Sequence, residues 1–472
     1  MGKWKNTAKI IVFCMAAAVL FSCTYKVLSW KDTSGGYLSS MESFYSLEED
    51  VVDVLFLGSS HCYCSVNPAV LWEQYGIASF SLAISGQDLA SSYHCMKEAL
   101  KTQKPKVVCV EMYYANCHGY AVKGNMYRNL LGYRFSRNFM DAVSDIAEEE
   151  ERELLLKWPI IHTRYGELSK EDFNKNRMRR TYIGYAGEFH VENIEEIPVY
   201  RGGEQLAIGE EEEAWLEKIF ELAEENEVEL CLFLAPFGAD EETQMHYRYV
   251  ESLAEMHQVP FLNLIALQQE LGLDVKQDFC DAGHTNCYGA VKISDYLGRF
   301  LSEQYPLQDR KGDGRYALWE ENLEIWHHQM QNLSLQQSAD LGVYLDSLKA
   351  HCDDYIFVIS SKGEYLTETE DLYDRLDALG IGDEFFQREG VWIIEDGTVR
   401  YRTVGEDCFA YIRIGGSDLL INRNEGVLQI VIDRREYGKV SQGIDIVVYD
   451  KALEQIIDEA GFQALDGYRC VR

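Results

Sequence analysis

The stretch "VDVLFLGSSHCYC", residues 52–64, decides how this chain folds. "VDVLFLG", running to Gly58, is a short continuous apolar run, the pattern of a strand covered on both faces. Gly58-Ser59-Ser60 ends it, and Asn67-Pro68 then reads as a helix N-cap followed by proline at the first helical position, opening a helix through Gln74. The alternation continues outward. "IASFSLAI" (77–84) reads as a second strand, Leu89–Lys101 as a helix, and "KVVCVEM" (106–112) as a third strand. After a break it resumes with a helix over Glu211–Glu225, in which Trp215, Ile219 and Leu222 share one face. Strand "VELCLFLAP" (228–236), helix 241–257, strand "VPFLNL" (259–264) and a last helix beyond His284 complete the series. Five apolar strands separated by helices predict an α/β domain over 51–306, with a doubly wound, flavodoxin-like, parallel five-stranded sheet.

The break, residues 113–209, is rich in Tyr, Arg and Glu and lacks this rhythm. It reads as a helical insertion over the carboxyl edge of the sheet, with one amphipathic stretch at Phe139–Trp158. Past Pro306 the character changes again. A helical stretch (Tyr316–Cys352) leads to "DYIFVISSKGEYLT", a helix at Leu372–Leu379, and the short strands "VWIIED", "GVLQIVID" and "GIDIVVYD". This predicts a smaller C-terminal α/β or α+β domain over 316–472. With only 7 prolines and no Pro/Ser/Gly-rich tract, the connection between the parts is expected to be structured.

The chain has 472 residues, enough for two or three domains, and 44 basic against 78 acidic residues leave a net charge of −34. Such a surface repels phosphate backbones, so nucleic acid is excluded as a partner. The runs Glu148–Glu151 and Glu210–Glu213 read as solvated helix faces. At the other extreme, Lys3, Lys5 and Lys9 precede an apolar run from Ile10 to Cys23, and Lys26 could snorkel to lengthen it. The expectation is a single-pass membrane anchor over residues 1–30 with the rest of the chain outside the cytoplasm. Thirteen cysteines are scattered, many on apolar strands such as Cys109 and Cys231, which suits small buried hydrophobes better than a disulfide framework.

Chemistry concentrates at the two ends of the α/β domain. Ser60 follows the first strand at its carboxyl end, where open sheets bind ligands. A serine hydroxyl is inert until a base takes its proton. "DFCDAGHTNCYGA" (278–290) offers that base, with Asp281 three residues before His284 in a loop ahead of the last helix. The carboxylate can hold one imidazole nitrogen while the other faces a nucleophile. A zinc reading of His61, Cys62, Cys64, Cys280, His284 and Cys287 lacks finger spacing and would consume the base, so neither metal nor other cofactor is expected.

These blocks, in this order, resemble the SGNH (GDSL-type) hydrolases. Ser60 falls at the nucleophile position, Ser59 replaces the aspartate usual before it, and Asp281 and His284 match the closing Asp-x-x-His. The serine variant resembles the branch containing the D-alanine-transfer protein of lipoteichoic acid synthesis and the alginate O-acetylation proteins. The resemblance implies oxyanion donors at the N–H groups of Ser60 and of Gly86 in "AISGQ". The third block departs from the family pattern: "EMYYANCHG" offers only Asn116, displaced. The resemblance further implies an esterase or O-acyltransferase moving an acyl group, with acetyl the expected one, on a cell-surface polysaccharide, and a membrane-bound O-acyltransferase as a potential partner. The altered third block keeps open an inactive polysaccharide-binding or assembly protein. Insertion aromatics (Tyr113, Tyr114, Tyr120, Tyr127, Tyr133, Tyr165) suit sugar stacking or ordinary packing equally. His162, Arg164, Arg177, Arg179 and Arg180 could grip an anionic acceptor or pair with the acidic helices. "GIDIVVYDKALEQIIDEAGF" (443–462), with "DYIFVISSKGE" and "LYDRLDALG", resembles more weakly the interleukin-like EMT-inducer (PANDER-like) domain, which implies a carbohydrate-binding accessory.

Overall fold

The computed structural model describes residues 2–28, 37–116, 128–130, 132–147, 183–363 and 369–472, with Gly166, Leu168 and Leu366 as isolated positions. The chain separates into two compact units, Met1–Trp326 and His327–Arg472, dividing within the helix Ala317–Gln337.

The first unit is built on five parallel strands: β1 (Val54–Leu57), β2 (Ser79–Ser81), β3 (Val107–Glu111), β4 (Glu229–Leu234) and β5 (Phe261–Asn263). They lie in the order β2-β1-β3-β4-β5, the doubly wound arrangement whose ligand crevice opens where the order reverses, beside β1 and β3. Burial explains the unbroken apolar runs. Leu55, Leu57, Val108, Val110 and Leu232 pack into one core, while Val54, Phe56, Val107, Cys109 and Phe233 pack into another on the other face. The helices that cover these faces begin on side-chain caps. Asn67 accepts the Ala69 N–H, Asp88 the Ser91 N–H and Asp240 the Thr243 N–H. Every described cysteine is free, and those on the strands of this sheet are buried.

The expected membrane-spanning anchor needs correction. Gly2–Leu28 forms one helix, but among the described residues no helix is long and apolar enough to cross a membrane. The physical reason is in the sequence: Lys9 and Lys26 bracket the apolar run short of the ~20 residues a span requires. Of the insertion, most lies outside the described residues, including Tyr120, Tyr127, His162, Arg164, Tyr165, Arg177, Arg179 and Arg180. The amphipathic stretch is described as a helix over Arg137–Ile146.

The second unit is α+β. Strands β6 (Tyr355–Lys362), β7 (Gly390–Glu395), β8 (Thr398–Val404), β9 (Cys408–Ile414) and β10 (Ser417–Asn424) are followed by β11 (Val427–Ile432), β12 (Arg435–Tyr437), β13 (Gly443–Asp450), β14 (Gln455–Gln463) and β15 (Arg469–Val471). They form a six-stranded sheet, β15-β14-β13-β6-β7-β8, and a four-stranded one, β12-β11-β10-β9, both antiparallel. Alternation along β6 shows the layering. Tyr355, Phe357 and Ile359 pack with Tyr344 and Leu348 of the helix Leu341–Ala350, while Ile356 and Val358 pack with Leu419, Ile421 and Ile430 of the smaller sheet.

Candidate active site

The nucleophile arm starts where β1 stops. Gly58 has φ +139°, and a Cβ there would sit 2.5 Å from the Glu111 Cβ, so only glycine lets the chain turn beside β3. The Gly58 N–H is taken by the buried Gln87 side chain at 2.6 Å. Ser59 then caps the short helix Ser60–Ser65, its Oγ accepting the His61 N–H. Ser60 is the first helical residue, and its N–H is one that a helix leaves without an intrahelical partner.

The base arm is a small hairpin. Phe279 and Thr285 form an isolated antiparallel bridge, and the Cys280 N–H donates to the His284 carbonyl at 3.0 Å. At its tip Asp281 Oδ1 accepts the N–H groups of Gly283 at 2.7 Å and His284 at 2.8 Å. At the exit, Asn286 caps the helix Cys287–Gln304 by accepting the Tyr288 and Gly289 N–H groups. Its amide nitrogen donates to the carbonyls of Gln277 at 2.7 Å and Phe279 at 3.1 Å, tying the loop to the helix start. Buried hydroxyl contacts join the arms: Ser65 to Thr285 at 2.9 Å, and the Asn67 N–H to Ser294 at 2.7 Å.

The structure brings three of the expected residues together. Ser60 Oγ lies 2.8 Å from His284 Nε2, and His284 Nδ1 lies 3.0 and 3.1 Å from the two oxygens of Asp281. With Nδ1–H donated to the carboxylate, Nε2 presents a lone pair to the hydroxyl, the protonation pattern that general-base chemistry needs. The site is open to solvent, with the His284 and Asp281 side chains 27% and 52% exposed. Partial burial works against ionisation of Asp281, but hydrogen bonds from His284 and the Gly283 N–H outweigh it and hold the carboxyl below its ordinary range. Gly86 sits in the turn after β2 with φ +69°, its carbonyl accepting the Asn129 amide at 3.3 Å. Asn116 is the last residue of a 3-10 turn, Tyr113–Asn116, directly after β3. Among the described residues, no cluster of three His, Cys, Asp or Glu side chains could hold a metal ion.

Sequence reasoning missed three parts of the site. One is the return of the insertion, which carries no periodicity. Ile183 accepts the Ser81 N–H at 3.0 Å, Glu188 accepts the Cys287 N–H at 2.8 Å, and the Glu192 N–H donates to Phe279 at 2.9 Å. This segment therefore braces both the end of β2 and the base loop. Another is Asn286, whose position just before an apolar-periodic helix is a readable cap signal. The third is the pair Glu111 and His61. Glu111 closes β3 fully buried, and His61 stacks on Tyr113 with ring centroids 3.7 Å apart and 4.7 Å from the His284 ring.

No family model matches this chain, and no curated protein matches it either. Among solved structures, 15 chains match. One is a candidate acylhydrolase from Bacteroides fragilis, 10% identical, with 58% of this chain and 99% of that one covered at a TM-score of 0.30. A likeness at that level bears on neither the chemistry nor the fold of this chain, which rest on the geometry above.

Proposed function

We propose that this chain is a serine-dependent acyl esterase or O-acyltransferase, acting on an acetyl-type ester of a cell-surface polysaccharide. The observation that carries the reading is the 2.8 Å contact between Ser60 Oγ and a His284 ring already held by Asp281. Ser60 Oγ attacks the acyl carbon as its proton passes to His284 Nε2, and Asp281 offsets the positive charge that forms on the ring. The N–H groups of Ser60 and Gly86 are the proposed donors to the tetrahedral oxyanion. When the acyl carbon–oxygen bond breaks, the departing alkoxide takes the proton from His284. Water or a sugar hydroxyl then gives its own proton to His284 and attacks the acyl-serine, and as the acyl–Oγ bond breaks Ser60 takes that proton back, so hydrolysis and transfer share every step but the last acceptor.

The order of blocks, Gly-Ser-Ser after β1 and Asp-x-x-His before the last helix, supports an SGNH-type assignment. Tyr113, partly exposed and stacked on the His61 ring that neighbours His284, supports a sugar acceptor. Action outside the cytoplasm is proposed with the cell-surface substrate, which lies there. Exposed Ile10, Phe13, Leu20 and Phe21 leave apolar surface on the helix Gly2–Leu28, which supports contact with a membrane, where a membrane-bound O-acyltransferase could supply the acyl group. A fluorophosphonate probe tests the core claim. Wild type should be labelled and Ser60→Ala should not; a folded wild type that takes no label would sink the proposal. Nitrophenyl acetate and acetyl-xylan, with and without a sugar acceptor, then separate hydrolysis from transfer.

A further inference from the structure

Behind Ser60 runs a second series of polar groups that acyl chemistry leaves unused. Glu111 Oε1 accepts the Tyr113 N–H at 2.8 Å, and Oε2 lies 3.0 Å from the Ser59 hydroxyl. The N–H groups of Ser59 and of Ala235, just past β4, also reach the carboxylate. Ser59 Oγ lies 3.2 Å from His61 Nδ1 and accepts the His61 N–H at 3.3 Å. His61 Nε2 is buried without a hydrogen-bond partner among the described residues. It faces the base loop, since a Cβ added at Gly283 would lie 3.7 Å from it.

A hydroxyl has one hydrogen to give. With Glu111 ionised, Ser59 donates to the carboxylate, so His61 must donate Nδ1–H to Ser59 and turn a bare Nε2 lone pair towards the base loop. With Glu111 protonated, the carboxyl donates to Ser59, Ser59 donates to Nδ1, and Nε2 carries the hydrogen. Both arrangements satisfy every atom in the series except Nε2. We propose that Glu111, Ser59 and His61 form a proton-ordering chain that sets which His61 nitrogen carries the hydrogen, and with it the sign of the dipole facing the His284 loop. The conversion balances simply. One proton enters at Nε2, the Nδ1 hydrogen passes to Ser59 Oγ, and the former Ser59 hydrogen passes to Glu111.

The surroundings allow both forms near neutrality. Burial, and then the adjacent His284, hold His61 basicity well below the ordinary imidazole range, while Asp281 from the same loop pulls weakly the other way, so the ring stays neutral. Burial pushes Glu111 up to about 7, opposed by the N–H and hydroxyl donors around it. The Cys62 thiol also faces Glu111, and burial keeps it neutral. On the serine-nucleophile reading, the Nε2 lone pair favours the imidazolium that forms on His284, and the Nε2–H form opposes it. Glu111 and Ser59 are then positioning residues, acting through His61.

NMR of the full chain carrying 15N-labelled histidine tests the chain without reference to activity. From about pH 5 to 9, His61 should pass from the Nε2–H to the Nδ1–H tautomer. In Glu111→Gln the amide keeps its oxygen on the Tyr113 N–H and its NH2 on Ser59, so the Nε2–H form should persist at every pH. Ser59→Ala should uncouple the ring from Glu111. A wild-type tautomer that does not change with pH, or one that still changes in Glu111→Gln, overturns the proposal. The rate of fluorophosphonate labelling gives the second readout. Glu111→Gln should slow labelling about tenfold and remove one limb of its pH profile. The double variant Glu111→Gln/His61→Phe should be no slower than the slower single. Wild-type rate and profile in Glu111→Gln would refute the positioning role and leave the serine reading standing. An unlabelled wild type would refute that reading, while the tautomer measurement still decides the chain.

Discussion

Glu111 and Asp281 are two carboxylates serving the two arms of one site, and they are held in opposite ways. Glu111 ends a central strand, fully buried, and burial pushes it up to about 7 despite the hydrogen bonds it accepts. Asp281 sits at the tip of a hairpin, 52% exposed, and its hydrogen bonds hold it below the ordinary range. The same functional group is thus poised near neutrality in one arm and firmly ionised in the other, because desolvation wins in the first and hydrogen bonding in the second. The nucleophile arm is fixed by the sheet, with β1, β3 and the start of β4's loop converging on Gly58 and Ser59. The base arm lies off the sheet, braced by the return segment and Asn286, and at its tip the carboxylate organises its own loop through the Gly283 and His284 N–H groups.

The contrast can be broken most decisively at Asp281. Asp281→Asn removes the acceptor that fixes the His284 tautomer, so turnover of nitrophenyl acetate should fall by ~10³–10⁴ while the urea midpoint hardly moves. A loss under about tenfold would mean that the loop, not the charge, orients the ring. The next effect belongs to Glu111 and shows in stability. Its folded value lies above the unfolded one, so its contribution is fully present below the unfolded value, near pH 4.5, and is lost as pH rises through about 7. Wild type should therefore lose about 3 kcal/mol relative to Glu111→Gln between roughly pH 4 and pH 8, read from urea unfolding of both proteins. Parallel curves would show that Glu111 is not desolvated as its burial implies. Smaller again is Asn286→Ala, which removes a helix cap and two donors to loop carbonyls. It should cost about 1–2 kcal/mol and lower turnover more than Ser294→Ala, which weakens the junction between the arms but leaves the base loop tied.

Legibility in the sequence divides along the same line. The strands that bury both faces announce themselves as unbroken apolar runs, so β1, β3 and β4 and the strand-end position of Ser60 can be read directly. Asp281 and His284 are legible because three-residue spacing within one loop is a local relation. Glu111 is not. A glutamate after "VVCV" reads as the solvent-facing end of a strand, and its burial arises only when β1 and β4 flank it and Gly58 approaches to within a side chain's width. His61 reads as a spare zinc or loop residue for the same reason, since the ring's partners, Tyr113 and Phe237, come from elsewhere in the chain. The return segment 183–200 has no periodicity and is ordered by backbone bonds to β2 and the base loop. The N-terminal helix is legible as a helix. Reading it as a span gives Lys26 too much reach.

The smallest effect completes the comparison, because it has the opposite sign to that of Glu111. Asp281 titrates below its unfolded value, so its contribution to stability is present above that value, near pH 3.9. It is lost as pH falls through the lowered folded one. Solvent screening at a half-exposed carboxylate keeps the gain small, and the unfolding midpoint should therefore show it only as a shallow acid limb. The limb should vanish in Asp281→Asn and should persist in Glu111→Gln. In the double variant both slopes should be gone, the acid one and the neutral one, leaving a flatter profile between them. If the acid limb survives in Asp281→Asn, another carboxylate carries it.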